Sequence, residues 1–188
     1  MTGIEGPALE RALQAQGATA PQAVLFIRLL LLSGARCGEI AAAKWDWLEG
    51  SVLKLPDAKA GPRDVHLPPQ VMTLLGKVSR TGETIVGISD PSKTWRKIRA
   101  AAGCPDLRLH DLRRSFASCA LSAGVSLSQV GELLGHRSAQ TTKTYAYLME
   151  EAAQAAATVA AGRIEEMMSG PLARVIVTKF ALAPIYPL

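Results

Sequence analysis

The feature that most restricts this chain is the stretch 23–32, ten residues that are apolar except for Arg28, with Pro21 ahead of it and Gly34 behind. A membrane span needs about 20 apolar residues and a signal peptide lies at the N-terminus, so this run is neither. Proline is tolerated in a first helical turn and glycine ends helices, so 21–32 is predicted as a buried helix within one globular domain. A chain of 188 residues is long enough to build a core around it.

Residues 1–20 are rich in Gly and Ala and read as a short leader, with a brief helix at 8–16. After Gly34 and Gly38 a second short helix is expected over about 36–45, carrying Glu39 and Ile40. Between Ser51 and Pro68 the spacing changes to short alternation: Val52, Leu53 and Leu55, a Lys59-Ala60-Gly61-Pro62 turn, then Val65 and Leu67. That is the pattern of a β-hairpin with a basic tip, ended by Pro68 and Pro69, which open a helix through Leu75. Residues 84–86 offer one more short strand.

From Ser92 onward the chain reads as helix: 93–102 with Ser92 as its cap, then 110–122, 126–134 and 138–168, parted by Gly103-Cys104-Pro105, Gly124 and Gly135. The main domain is therefore expected over 21–168. The tail 171–188 differs in kind, since Val175, Ile176 and Val177 favour a strand while Pro184 and Pro187 prevent much regular structure.

Lysine and arginine exceed aspartate and glutamate by five, a balance that favours a polyanionic partner over an acidic protein surface. The excess is local: between Asp90 and Arg114, seven cations stand against three carboxylates. Lys93, Arg96, Lys97, Arg99 and Arg114 are the candidate contacts to DNA backbone phosphates, against the plainer reading of a solvated helix face. Cys37, Cys104 and Cys119 are odd in number and widely spaced, which fits a reduced compartment and offers no zinc or redox motif. His66 has no ligand-spaced partner and no phosphate-binding glycine loop occurs, so no metal or other cofactor is expected.

Breaking a phosphodiester by in-line attack builds negative charge on the non-bridging oxygens, and an enzyme without a metal has to answer it with fixed cations. Arginine suits this, because its planar fork grips two oxygens and stays charged. The attack also needs a side-chain nucleophile, and the leaving oxygen needs an acid. The sequence holds such a set in order: Gly34-Ala35-Arg36-Cys37-Gly38-Glu39, Lys59 at the hairpin tip, His110-Asp111-Leu112-Arg113-Arg114, Leu134-Gly135-His136, and Thr141-Thr142-Lys143-Thr144-Tyr145. Together these segments resemble the successive boxes of the tyrosine recombinases of the phage integrase type: G-x-R-x-x-E, a lysine on a β-turn, H-x-L-R, L-G-H, and a tyrosine nine residues after that last histidine. The likeness runs from about Pro21 to Glu150.

The resemblance implies an α+β, mainly α, catalytic domain with a small antiparallel β-sheet at one edge. It implies a site-specific DNA recombinase that needs neither metal nor ATP. Arg36 and Arg113 would clamp the scissile phosphate, His110 and His136 would donate to it or move protons, and Lys59 would be the general acid. Tyr145 would attack the phosphorus, leaving a 3′-phosphotyrosine and a free 5′-hydroxyl. The implied partner is double-stranded DNA, on which the family forms a tetramer, the free protein being a monomer or weak oligomer. The implied setting is the cytoplasm of a prokaryotic cell or phage-infected host. The tail 171–188 would dock on a neighbouring subunit. The separate helical arm with which the family holds the far face of the duplex does not fit into 1–20, so weak DNA binding is expected of this chain.

The residues agree with these roles where they can be checked. His110 and Arg113 lie at i and i+3, on one helical face, and Glu39 stands three residues after Arg36, where it can orient the guanidinium. Free tyrosine is only about one part in a thousand ionised at neutral pH, and a cluster of cations is what would favour the phenolate. Tyr147 competes as nucleophile, but two helical residues turn a side chain through about 200°, and the nine-residue spacing selects Tyr145. Taken singly, His110 and His136 read as cap or surface residues, whereas Arg36, between two glycines in an apolar stretch, reads as buried or in a cleft, and Lys59 is the one lysine near the hairpin tip; the order of the boxes decides. Trp45 and Trp47 read as packing residues. Two alternatives stay open: a relaxing enzyme like the type IB topoisomerases, and a DNA-binding module that keeps the scaffold without the reaction.

Overall fold

The computed structural model describes residues 6–56, 61–136 and 146–169. The chain divides into two compact units, Met1–Tyr145 and Ala146–Leu188. The first unit runs through α1 (Gly6–Gly17), α2 (Pro21–Ser33) and α3 (Cys37–Ala42), then a 3-10 turn, Trp45–Trp47. The sheet follows as β1 (Leu48–Glu49), β2 (Val52–Leu55) and β3 (Arg63–His66), and then α4 (Pro69–Leu75), α5 (Ser92–Ala101), α6 (Leu109–Ser122) and α7 (Leu127–Leu134). In the second unit the described residues form α8 (Ala146–Ser169). The architecture is mainly helical with a small antiparallel sheet, as expected.

The apolar helix α2 is the centre of the first unit. Phe26, Ile27, Leu29 and Leu30 are each no more than 2% exposed, and α1, α3, α4, α5 and α6 all pack on it. Its one charge, Arg28, reaches the rim and pairs with Glu10 of α1 at 2.7 Å. Residues 6–17, within the segment read as a leader, form α1. Leu9, Ala12 and Leu13 recur at helical spacing, are buried in the common core, and pack α1 onto α2 and α5. Among the described residues no helix is long and apolar enough to cross a membrane.

The sheet has the order β1-β2-β3, antiparallel throughout, with Leu53 opposite both Leu48 and Val65, and Leu55 opposite Arg63. Because side chains alternate across a strand, Leu53, Leu55 and Val65 share the buried face. Arg63 is in phase with them. The strand anticipated at 84–86 does not form. Ile85 and Val86 are both buried, which breaks a two-residue alternation, and the segment makes only a single bridge, Lys44 to Thr84. Its backbone pairs, Ile85 N to Ala43 O at 2.8 Å and Trp45 N to Glu83 O at 3.1 Å, end the short helix at Ala42 instead of near residue 45. Trp45 is buried and Trp47 packs against the core, as packing residues.

Two caps also differ. Ser92 is the first residue of α5 and not its cap; Asp90 Oδ1 accepts from the Ser92 N–H at 2.8 Å. Ser126, by contrast, caps α7, its Oγ accepting from the Gln129 N–H at 3.3 Å while Gln129 Oε1 accepts from Ser126 N at 3.1 Å.

Candidate active site

Two helices that end in left-handed glycines build the floor of the site. Gly34 closes α2 at φ 64° and Gly135 closes α7 at φ 64°, and each turn exposes carbonyls at a helix C-terminus, where the peptide dipoles favour a cation. Arg113, one turn into α6, fits between them. It is 3% exposed, and its Nη1 donates to Gly34 O and its Nη2 to Leu134 O, both at 2.6 Å. Gly34 cannot be replaced freely, since a Cβ there would come within 2.5 Å of the Phe116 ring.

Arg36 reaches the same place from the other side. Its backbone is extended, at φ −81° and ψ 152°, so it stands just before α3 and is not on the helix face the sequence suggested. Glu39, at the third helical position, folds back and accepts from both the Arg36 backbone N–H and Arg36 Nη1, each at 2.8 Å. The expected pairing of Glu39 with Arg36 is therefore made by cap geometry. Arg36 Nη2 then approaches Gly135 O at 3.5 Å.

A third guanidinium completes the set. Arg63, the first residue of β3, donates from Nη1 to Leu134 O and lies 3.6 Å from Glu39 Oε2 through Nη2. All three arginines thus converge on the carbonyls of Leu134 and Gly135, with Glu39, itself 5% exposed, linking Arg36 and Arg63. Sequence reasoning missed Arg63. The available signal was its phase: it sits two residues before Val65 and four before Leu67 on a strand whose alternate positions are apolar.

His136 follows directly in the chain. Burial, then the positive charges of Arg113, Arg36 and Arg63, hold its pKa down from 6.5 to about 4, so the imidazole is neutral at ordinary pH. His110, by contrast, is exposed at the second position of α6, one turn before Arg113. The loop ahead of it is fixed by the Leu107 carbonyl, which accepts from Trp95 Nε1 at 3.0 Å and Arg99 Nη1 at 2.9 Å. Of the candidate DNA contacts, Lys93, Arg96 and Lys97 stand exposed on α5 and Arg114 is exposed on α6, while Arg99 is half-buried by its carbonyl bond. Lys59, Tyr145 and the tail 171–188 lie outside the described residues. Among the described residues no group of histidine, cysteine or acidic side chains could hold a metal ion.

Residues 5–151 match the phage integrase family. The chain belongs to that family. The match takes in the whole of α1. A putative prophage integrase of Mycobacterium tuberculosis is 33% identical over 113 residues, spanning 52% of this chain and 30% of that protein. The prophage integrase IntF of Escherichia coli is 31% identical over 142 residues, covering 66% and 30%, and the tyrosine recombinase XerA of Saccharolobus solfataricus is 30% identical over 132 residues, covering 66% and 45%. This integrase-family chain therefore spans less than half the length of these relatives. Its fold is that of XerA recombinase, with a TM-score of 0.67 at 20% identity over 84% of this chain and 64% of the other. It is also that of a lambda integrase tetramer bound to a Holliday junction, with a TM-score of 0.59 at 20% identity over 76% and 47%.

Proposed function

We propose that this chain is the catalytic part of a site-specific DNA recombinase that cuts and rejoins strands through a phosphotyrosine, with neither metal nor ATP. The observation that carries the reading is the convergence of the Arg36, Arg63 and Arg113 guanidiniums on one turn, with Glu39 between two of them, beside an imidazole kept neutral by burial first and then by those charges. Such a cluster of guanidiniums suits an anion, and a phosphodiester brings one negative charge with oxygens that a planar fork can grip. Arg36 and Arg113 hold the scissile phosphate, and neutral His136 donates an N–H to it or takes up a proton.

Tyr145 supplies the phenol oxygen that bonds to phosphorus as the bond to the 5′-oxygen breaks. The phenol gives up its proton to His136 or to water, and the departing oxygen takes one from Lys59. His110, one turn before Arg113, assists at the phosphate. The phosphodiester becomes a phosphotyrosine diester, so a hydroxyl from another strand reverses the step without ATP. Glu39 keeps Arg36 in register. Lys93, Arg96, Lys97, Arg99 and Arg114 add contacts to the duplex backbone. Strand exchange needs several copies on double-stranded DNA, and we place it in a homotetramer whose 171–188 tails dock on neighbouring subunits. The cysteines described, Cys37, Cys104 and Cys119, are unpaired, in keeping with the cytoplasm of a prokaryotic cell or a phage-infected host.

The test is a nicked suicide duplex carrying a recombination site. The expected result is an adduct that survives SDS, forms equally in EDTA, and disappears in Tyr145→Phe while DNA is still retarded in a gel. An adduct persisting in that variant means the nucleophile is misassigned. Retardation with no adduct from the unaltered chain identifies a binding module, and relaxation of supercoiled plasmid without exchange between two sites identifies a topoisomerase-like enzyme.

A further inference from the structure

We propose that Arg63 is a positioning residue of this site: its guanidinium braces the Leu134–Gly135 turn and Glu39 together, and so sets where His136 and Arg36 stand. The inference rests on the recombinase reading for its kinetic consequence, though not for the brace itself.

Four observations converge on it. The Arg63 side chain is only 9% exposed, on the strand face it shares with Leu55 and Val65. One terminal nitrogen donates to Leu134 O, the carbonyl that Arg113 Nη2 also uses. The other lies 3.6 Å from Glu39 Oε2, the oxygen that accepts from the Arg36 backbone. Gly135 leaves the room for this: a Cβ there would overlap Arg63 Nη1 and come within 2.7 Å of its Cδ.

The arrangement is expensive, which argues that it does more than fill the core. Arg63 Nε and Nη2 are buried with no hydrogen-bond partner among the described residues, and burying an imperfectly satisfied guanidinium is usually worse than placing an apolar side chain of similar volume there. An apolar residue would complete the face of Leu55 and Val65 but could not reach both a carbonyl and a carboxylate. The same burial shields those two nitrogens from solvent, so Arg63 acts through Glu39 and the turn.

The test uses Arg63→Gln and Arg63→Lys in the full 188-residue chain, with three readouts: single-turnover adduct formation at saturating nicked DNA, DNA affinity, and the titration of His136 by NMR in the free protein. His136 is faced by Arg113 from α6, Arg36 from the start of α3 and Arg63 from β3, so loss of one cation is visible there. R63Q is expected to slow adduct formation by about ten- to a hundredfold, the range for a catalytic group displaced by about an ångström. Its affinity should change by less than about threefold, and its His136 midpoint should move up. R63K keeps the charge, so it should hold the midpoint near that of the unaltered chain and recover part of the rate. A folded R63Q that cleaves at the unaltered rate, loses only affinity, or leaves the midpoint in place overturns the proposal. If R63Q does not fold, an R63K rate equal to that of the unaltered chain overturns it, and failure of both to fold assigns Arg63 to the core alone. Absence of any adduct from the unaltered chain sinks the recombinase reading instead, and the His136 titration then decides the brace by itself.

Discussion

The exposed cations of α5 and the arginines beneath the Leu134–Gly135 turn use the same chemistry in opposite surroundings. Lys93, Arg96 and Lys97 stand in solvent, where their charge is screened and their side chains keep their rotamer freedom. Arg113, at 3% exposure, and Arg63, at 9%, have given up that freedom to carbonyls and a carboxylate that hold them in one geometry. An exposed cation can attract a polyanion from a distance but cannot place one atom. A buried, hydrogen-bonded guanidinium can, at a cost in desolvation that a purely structural core would avoid.

The strongest way to break this contrast is at Arg113. Arg113→Ala should slow adduct formation by about two to three orders of magnitude. It should also lower stability by about 3 kcal/mol, because the buried Gly34 carbonyl loses its donor, a change measured by urea unfolding. A loss of DNA affinity with little effect on the saturated rate would put Arg113 in the same class as the α5 cations. Gly135→Ala comes next. The left-handed backbone at φ 64° and the overlap with Arg63 should together remove about 2 kcal/mol and slow cleavage about tenfold.

The electrostatics of the buried set can be sharpened by pH. The folded state holds His136 at a pKa near 4 against 6.5 when unperturbed, so between those values the unfolded chain binds more protons than the folded one. Stability should therefore be insensitive to this group above about pH 7 and decline as pH falls from 6.5 towards 4, and His136→Gln should flatten that decline in thermal melts. An unchanged profile in the variant would mean that neither burial nor the guanidiniums hold the imidazole neutral. The smallest effect belongs to α5. Replacing Lys93, Arg96 and Lys97 together by Gln should reduce the salt dependence of DNA affinity by up to about three in log–log slope, while altering the saturated cleavage rate much less. A large fall in that rate would erase the distinction between the two groups.

Much of the fold was legible because it is local. The apolar stretch around Phe26, the prolines that open α2 and α4, and the glycines that stop α2 and α7 act through neighbours a few residues away, and periodicity reports them directly. The segment 84–86 misled for the same reason: Ile85 and Val86 have strand propensity, but two consecutive buried residues cannot both face one side of a strand. Residues 8–16 were read as a helix correctly, yet their place in the core depended on α5, about eighty residues on, which no local pattern encodes.

The order of the boxes alone carried the assignment of Arg36, His110, Arg113 and His136 as candidates, since which residue types a phosphate needs is a matter of chemistry that the sequence displays openly. What holds those residues was decided only in three dimensions. Arg113 meets Gly34 across 79 positions and Arg63 meets Leu134 across 71, and Glu39 serves two arginines at once through a capped turn and a strand. Contacts over such separations arise from how helices and sheet pack, so the third arginine and the common carbonyl turn became visible only after the chain had folded back on itself.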